Sequence, residues 1–208
     1  RPKKRSGEWL TPYDPELGRN FEPAPGYIEG NAWNYRFYVP FDIPGMIDLL
    51  GGDSRFIDAL NATFATNNFD MGNEPDITYP YLFNYVSGQE HQTALNVQKL
   101  MAQHFTDQPA GLPGNDDAGT MSAWLVFSML GIYPVSPGDM DYATSSTAFD
   151  KVTVHLDQAY YPGKTLLITP LAKDQKQPML NNKTLTNGFV THQQLTQGGS
   201  LKLLAPLE

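Results

Sequence analysis

The sequence predicts a mainly α-helical fold that closes in a small β unit. Three observations carry this. Apolar residues recur at helical spacing in separate runs between Met46 and Phe105. A nearly continuous apolar stretch, Met121 to Leu130, stands between a Gly-Thr junction and Gly131, the marks of a helix start and stop. From about Tyr142 the texture changes to short runs that alternate apolar and polar residues, as in half-buried strands. Three acid-bearing loops each precede a helical segment. Hairpin-stacked helices with functional loops at one end suggest a helical barrel or solenoid, cut open. On this reading residues 1–138 form the helical part and 139–208 a β-rich segment.

Taken in order, residues 1–34 read as irregular, because Pro2, Pro12, Pro15, Pro23 and Pro25 come too often for a helix. Pro44 can open a helix through Met46, Ile47, Leu49 and Leu50, which Gly51-Gly52 stops. Asp53 suits the N-cap of the next, with Phe56, Ile57, Leu60 and Phe64 on one face. Asn67 to Asp76 is a loop by composition. Helices follow through Tyr81, Leu82 and Tyr85, and from Glu90 to Phe105. Gly119-Thr120 starts a helix that is apolar on nearly every side, so it should be buried all round. Val152 to Leu156, Leu166 to Thr169, Phe189 to Thr191 and Leu201 to Leu204 are the strand candidates. Asn181-Asn182-Lys183 and Gly198-Gly199 are turn signals.

Composition narrows the function. The 208 residues can bury a real core. A formal net charge of −8 argues against nucleic acid, whose binding rests on Lys and Arg meeting phosphates. The one basic cluster, Arg1 to Arg5, reads as a solvated end. Without cysteine there are no disulfides, thiolate metal sites or cysteine nucleophiles. No stretch reaches membrane-spanning length. The abrupt polar opening reads as a missing N-terminus, so the lack of a signal peptide says nothing of destination. The chain has 11 Tyr, 11 Phe and 3 Trp, faces that suit sugar rings and cores alike. Two sequons, at Asn61 and Asn182, matter only in a eukaryotic secretory setting.

Three places could carry chemistry. Asp116 and Asp117 precede a helix N-terminus, which favours the ionised form and suits a base or a metal ligand. On this stretch alone, a plain cap with Asp117 satisfying backbone donors is the better explanation of the pair. Glu29 sits near Tyr27 and Trp33, and an aromatic surround would raise its pKa toward that of an acid catalyst. Read alone, it is an ordinary loop glutamate. Asn73-Glu74-Pro75 points hard oxygens from a helix entry, which suits calcium more than zinc. Together these form two carboxyls of opposed tendency and an oxygen-rich turn, the pattern for glycoside hydrolysis. His91, His104, His155 and His192 make no close-spaced metal pair, and no nucleophile elbow or phosphate loop is present.

The segments EGNAWNYRFYVPFD (Glu29 to Asp42), GNEPDITYPYLFNYV (Gly72 to Val86) and GLPGNDDAGTMSAWLVFSMLGIYPVSPG (Gly111 to Gly138) resemble glycoside hydrolase family 92. That family comprises calcium-dependent, inverting exo-α-mannosidases, which pair an N-terminal β-sandwich with an (α/α)6 barrel. The resemblance implies that this chain is the C-terminal part, with later barrel helices, and that the sandwich is a partner missing from it. It implies Glu29 as general acid, Asp117 with Asp116 as general base, and Asn73 and Glu74 as calcium ligands. Trp33, Glu74 and Asn115 would contact the sugar. The implied activity is removal of terminal α-mannose, α-1,2-linked, from mannose-rich glycans by a secreted or periplasmic enzyme. The alternative is a carbohydrate-contacting or structural piece with no activity of its own. Many members carry His where this chain has Phe41, and histidines where it has Asp76, Ile77 and Thr78. These departures leave the linkage open.

Overall fold

The computed structural model describes residues 1–18, 22–66 and 68–206. Residues 19–21 of the expected irregular stretch, and Asn67 at the head of the expected loop, lie outside the described residues. Before Ile43 the described chain forms turns and two isolated bridges, Lys3 with Trp9 and Ala24 with Tyr27. Two helices follow, α1 (Ile43–Leu49) and α2 (Asp53–Ala65). Pro44 lies in the first turn of α1, and the Asp42 carboxylate accepts from the Gly45 N–H at 2.9 Å. Asp53 is the first helical residue rather than the cap; Gly52 takes the cap position at φ 91°.

Tyr79–Tyr85 is a 3-10 helix, not an α-helix. Its approach is already wound that way, since the N–H groups of Asp76, Tyr79 and Tyr81 each bond three residues back. Helices α3 (Glu90–His104) and α4 (Thr120–Leu130) complete the helical part. Then come β1 (Ile132–Tyr133), β2 (Asp141–Thr144), β3 (Val152–His155), β4 (Thr165–Pro170), β5 (Met179–Leu180), β6 (Lys183–Thr184), β7 (Phe189–Thr191), α5 (His192–Thr196) and β8 (Gly199–Leu203). One sheet has the order β1-β2-β7 and is antiparallel. The other runs β3-β4-β8-β5-β6, with only β4 and β8 parallel. Asn181 and Asn182 turn the β5–β6 hairpin in left-handed backbone, which asparagine tolerates.

The expectation of a mainly α fold, later (α/α)6-barrel helices with a small β appendage, is overturned. Helix makes up 29% and strand 17%, the strands in two sheets. Two causes are visible. The proline-rich opening contributes no helix, and nearly everything after Leu130 is strand, turn or the five-residue α5. Helix α4 also departs from expectation. Only Met121, Trp124 and Ser128 are buried, and Val126 is 56% exposed. One face packs inward, while Leu125 and Met129 join Met101 and Phe105 of the α3 side along an open groove.

The inward face is held firmly. Trp124 stacks on Phe105 with centroids 5.5 Å apart, and its indole N–H donates to the Ile77 carbonyl at 2.8 Å. Tyr81 stacks on Tyr133 at 4.3 Å, tying the 3-10 segment to β1. Asn84 donates to the Thr144 and Gly188 carbonyls at 2.9 and 2.8 Å, pinning the same segment to the first sheet. Phe37 packs edge-on against Phe56 and Tyr79, which docks the otherwise irregular opening onto α2 and the 3-10 helix. These contacts set three loops side by side: the turn at Glu29, the loop through Asn73 and Glu74, and the turn before α4.

Candidate active site

The three loops wall one cavity of about 560 Å³, lined by Glu29, Asp70, Gly72, Glu74, Pro113, Gly114, Asn115 and Asp117. Gly72 and Gly114 allow the second and third loops to touch backbone to backbone; a Cβ on Gly72 would stand 3.1 Å from the Pro113 carbonyl oxygen. Four of the lining side chains are carboxylates and none is basic. Such a wall attracts cations and repels anions.

Glu29 is exposed, not wrapped by Tyr27 and Trp33 as the sequence implies. Its backbone is left-handed, φ 52°. The turn is tied on both sides: Tyr35 donates its hydroxyl to the Ile28 carbonyl at 2.7 Å, and the Asn73 amide donates to the Glu29 carbonyl at 2.8 Å. Burial first, then the negative charge of Glu29, raises the Tyr35 phenol pKa.

The acid pair before α4 divides its labour. Gly119 takes the N-cap position, and Asp116, from before it, accepts from the Ser122 backbone N–H at 2.8 Å and the Ser122 hydroxyl at 2.9 Å, satisfying a first-turn donor as a cap would. Asp117 contributes its backbone carbonyl to Thr120 and leaves its side chain on the cavity. Asp117 and Ala118 are both left-handed, φ 46° and 58°. A non-glycine residue held there costs about 1–3 kcal/mol, and such strain gathers at functional sites.

Glu74 lies next to Asp117. Its carboxylate accepts from its own backbone N–H, which lowers the pKa. Burial, the hydrogen-bond contact with Asp117 and the charges of Asp117 and Glu29 outweigh that, and the net shift is upward. Two neighbouring carboxyls repel one another when both are ionised.

The cavity thus gathers Glu29, Glu74, Asn115 and Asp117 from the sequence-predicted set. It does not gather the rest. Asn73 is buried behind the wall, its amide spent on Glu29. Asp116 is committed to the cap. Trp33 faces another hollow, donating to Glu16 at 2.7 Å with the Arg36 guanidinium over its ring. Among the described residues no three His, Cys, Asp or Glu side chains converge as a ready metal site.

Sequence reading missed two features. Asp70 lines the cavity, and only its place in an acid-rich loop hinted at it. Asp76 is fully buried and accepts from the Asn34 amide at 2.8 Å and the Asp70 N–H at 2.7 Å through one oxygen. Its other oxygen has no partner. Burial pushes its pKa up to about 8, against the hydrogen bonds from Asn34 and Asp70.

Carboxyls from separate turns around an open cavity are the equipment of the glycoside hydrolases. The model of the glycosyl hydrolase family 92 catalytic domain matches residues 1–204, and the chain belongs to that family. A family 92 α-mannosidase from Bacteroides thetaiotaomicron is similar in structure, with TM-score 0.80 and 25% identity over 96% of this chain and 27% of its own. A family 92 inverting mannosidase from the same organism gives TM-score 0.79 and 27% identity over 96% of this chain and 30% of its own. A relative described as an uncharacterized secreted glycosidase from Arthroderma benhamiae is 31% identical over 182 residues, 84% of this chain and 23% of that protein. The chain therefore spans about a quarter of the length of the relatives it matches.

Proposed function

We propose that this chain carries the catalytic carboxyls of a secreted α-mannosidase that releases terminal α-linked mannose, α-1,2-linked in the preferred substrate, by single displacement. The observation that carries the reading is the meeting of Glu29 and Asp117 in one cavity, each on left-handed backbone. The relatives' names supply the sugar and the inverting stereochemistry. Glu29, exposed at the rim, protonates the departing glycosidic oxygen. Asp117, its side chain free of the helix cap, takes a proton from the water that attacks the anomeric carbon from the opposite face. Inversion requires room for that water, so the two carboxyls stand roughly 6.5–9.5 Å apart in the productive state.

The donors fit calcium in kind, since the cavity offers oxygen ligands only. Of the two expected ligands, Glu74 would hold it from the cavity wall, with sugar hydroxyls and water filling other positions, while Asn73 stands buried behind that wall. The ion would polarise the sugar hydroxyls it binds. Positive charge beside Glu74 would also relieve its repulsion with Asp117.

The test is Glu29→Gln in the full-length protein. Turnover of a mannobiose should fall by roughly 10²–10⁴-fold, the range for one general acid. An activated aryl mannoside, whose leaving group needs no proton, should lose far less. Equal loss on both removes Glu29 from the acid role. The same assay in chelator should lose activity and regain it with calcium; full activity in chelator removes the cation.

A further inference from the structure

We propose that Asp76 is the positioning residue for Glu29, clamping the acid's turn through Asn34 while holding the Asp70–Glu74 loop through a backbone amide. The inference rests on Glu29 being the acid. It starts from what Glu29 lacks. Its side chain is exposed, so its aim comes from its backbone alone. That backbone is left-handed and needs outside support.

The support converges on one buried carboxyl. Asn34 donates its amide N–H to Asp76 at 2.8 Å, which turns its amide oxygen toward the Asn31 N–H at 2.9 Å. Asn31 in turn accepts from the Trp33 and Asn34 N–H groups at 2.8 and 3.3 Å, closing the turn that follows Glu29-Gly30. The same Asp76 oxygen takes the Asp70 N–H at 2.7 Å. Asn73 returns from that loop to the Glu29 carbonyl at 2.8 Å. Two loops more than forty residues apart in sequence are thus referred to one side chain. The Asp117 turn has ties of its own, to Thr120 and Ser122, although the Glu74 loop packs beside it. Loss of the clamp should therefore displace the acid more than the base. A shift of about 1 Å in a reacting group can cost on the order of 10²-fold in rate.

The test compares Asp76→Ala, Asp76→Asn and Asn34→Ala with Glu29→Gln in the full-length protein. Two readouts are taken: kcat and KM on a mannobiose and on an activated aryl mannoside, and amide hydrogen exchange over residues 28–37. In Asp76→Ala and Asn34→Ala, kcat should fall about tenfold or more beyond the loss on the aryl mannoside, toward the 10²-fold of a displaced group. KM should change little and exchange should rise. Asp76→Asn keeps an oxygen for both donors and should restore most of the loss. If Asp76→Ala does not fold, Asn34→Ala, which cuts only the Glu29 arm, decides. Equal loss on both substrates, or an Asp76→Asn as impaired as Asp76→Ala, overturns the positioning role while a selective Glu29→Gln leaves the acid reading intact. Should Glu29→Gln itself lose equally on both substrates, the acid reading falls and the positioning role falls with it.

Discussion

Glu29 and Asp117 share an uncommon backbone, and the neighbours of each explain how it persists. At Asp117 the cost of left-handed backbone is offset by division of labour within the pair. Asp116 spends both carboxylate oxygens on Ser122, and Asp117 spends only its carbonyl on Thr120. The two aspartates should therefore respond differently to mutation. Asp117→Asn should lower kcat by roughly 10²–10⁴-fold with the melting temperature nearly unchanged. Asp116→Ala should cost about 1 kcal/mol of stability, the usual worth of a cap, and leave most of the rate. Steady-state kinetics beside thermal denaturation checks this. Matching rate losses in the two variants would mean that the cap and the base are not separable.

At the scale of elements, the 3-10 segment Tyr79–Tyr85 is the hub. It touches the turns before α1 through Tyr79, α4 and β1 through Tyr81, and the first sheet through Asn84. Burial raises the phenols of Tyr79 and Tyr81 well above the usual range and that of Tyr85 to about 12. A folded-state pKa above the unfolded value of about 10 contributes stability that is whole below that value and is lost as pH rises through the folded one. The tyrosine contribution should thus be lost only above pH ~10. Absorbance at 295 nm followed with far-UV circular dichroism should show Tyr79 and Tyr81 ionising together with loss of helix, and Tyr81→Phe should shrink that step. Ionisation of all eleven tyrosines with the helices intact would contradict it.

The same segment marks the limit of sequence reading. Its aromatic run, YPYLFNY, signals burial but not winding, because seven residues, all buried but the last, show no periodic face. Helices α3 and α4 were legible, since each runs for several turns between clear stops. The two-residue strands β1, β5 and β6 were not, because two residues cannot alternate. At the site, motif residues Glu29, Glu74, Asn115 and Asp117 were legible and do meet. The Asp76–Asn34 contact was not, since nothing local in either stretch announces a partner forty-two residues away.

As a whole the molecule presents a carboxylate cavity on one side and an uncovered apolar groove of about 640 Å³ between α3 and α4 on another. The chain spans about a quarter of its relatives' length, and on the proposed reading it carries the acid and the base. The alternative, a carbohydrate-contacting or structural piece with no activity of its own, is decided by assaying the isolated chain beside the full-length protein. The central claim is single displacement by the Glu29 and Asp117 carboxyls, and the anomer formed first tests it most directly. Proton NMR of the full-length protein acting on an α-mannobiose, recorded within the first minutes, should show β-mannose appearing before mutarotation. α-Mannose appearing first would mean retention, and would contradict the roles assigned to both carboxyls.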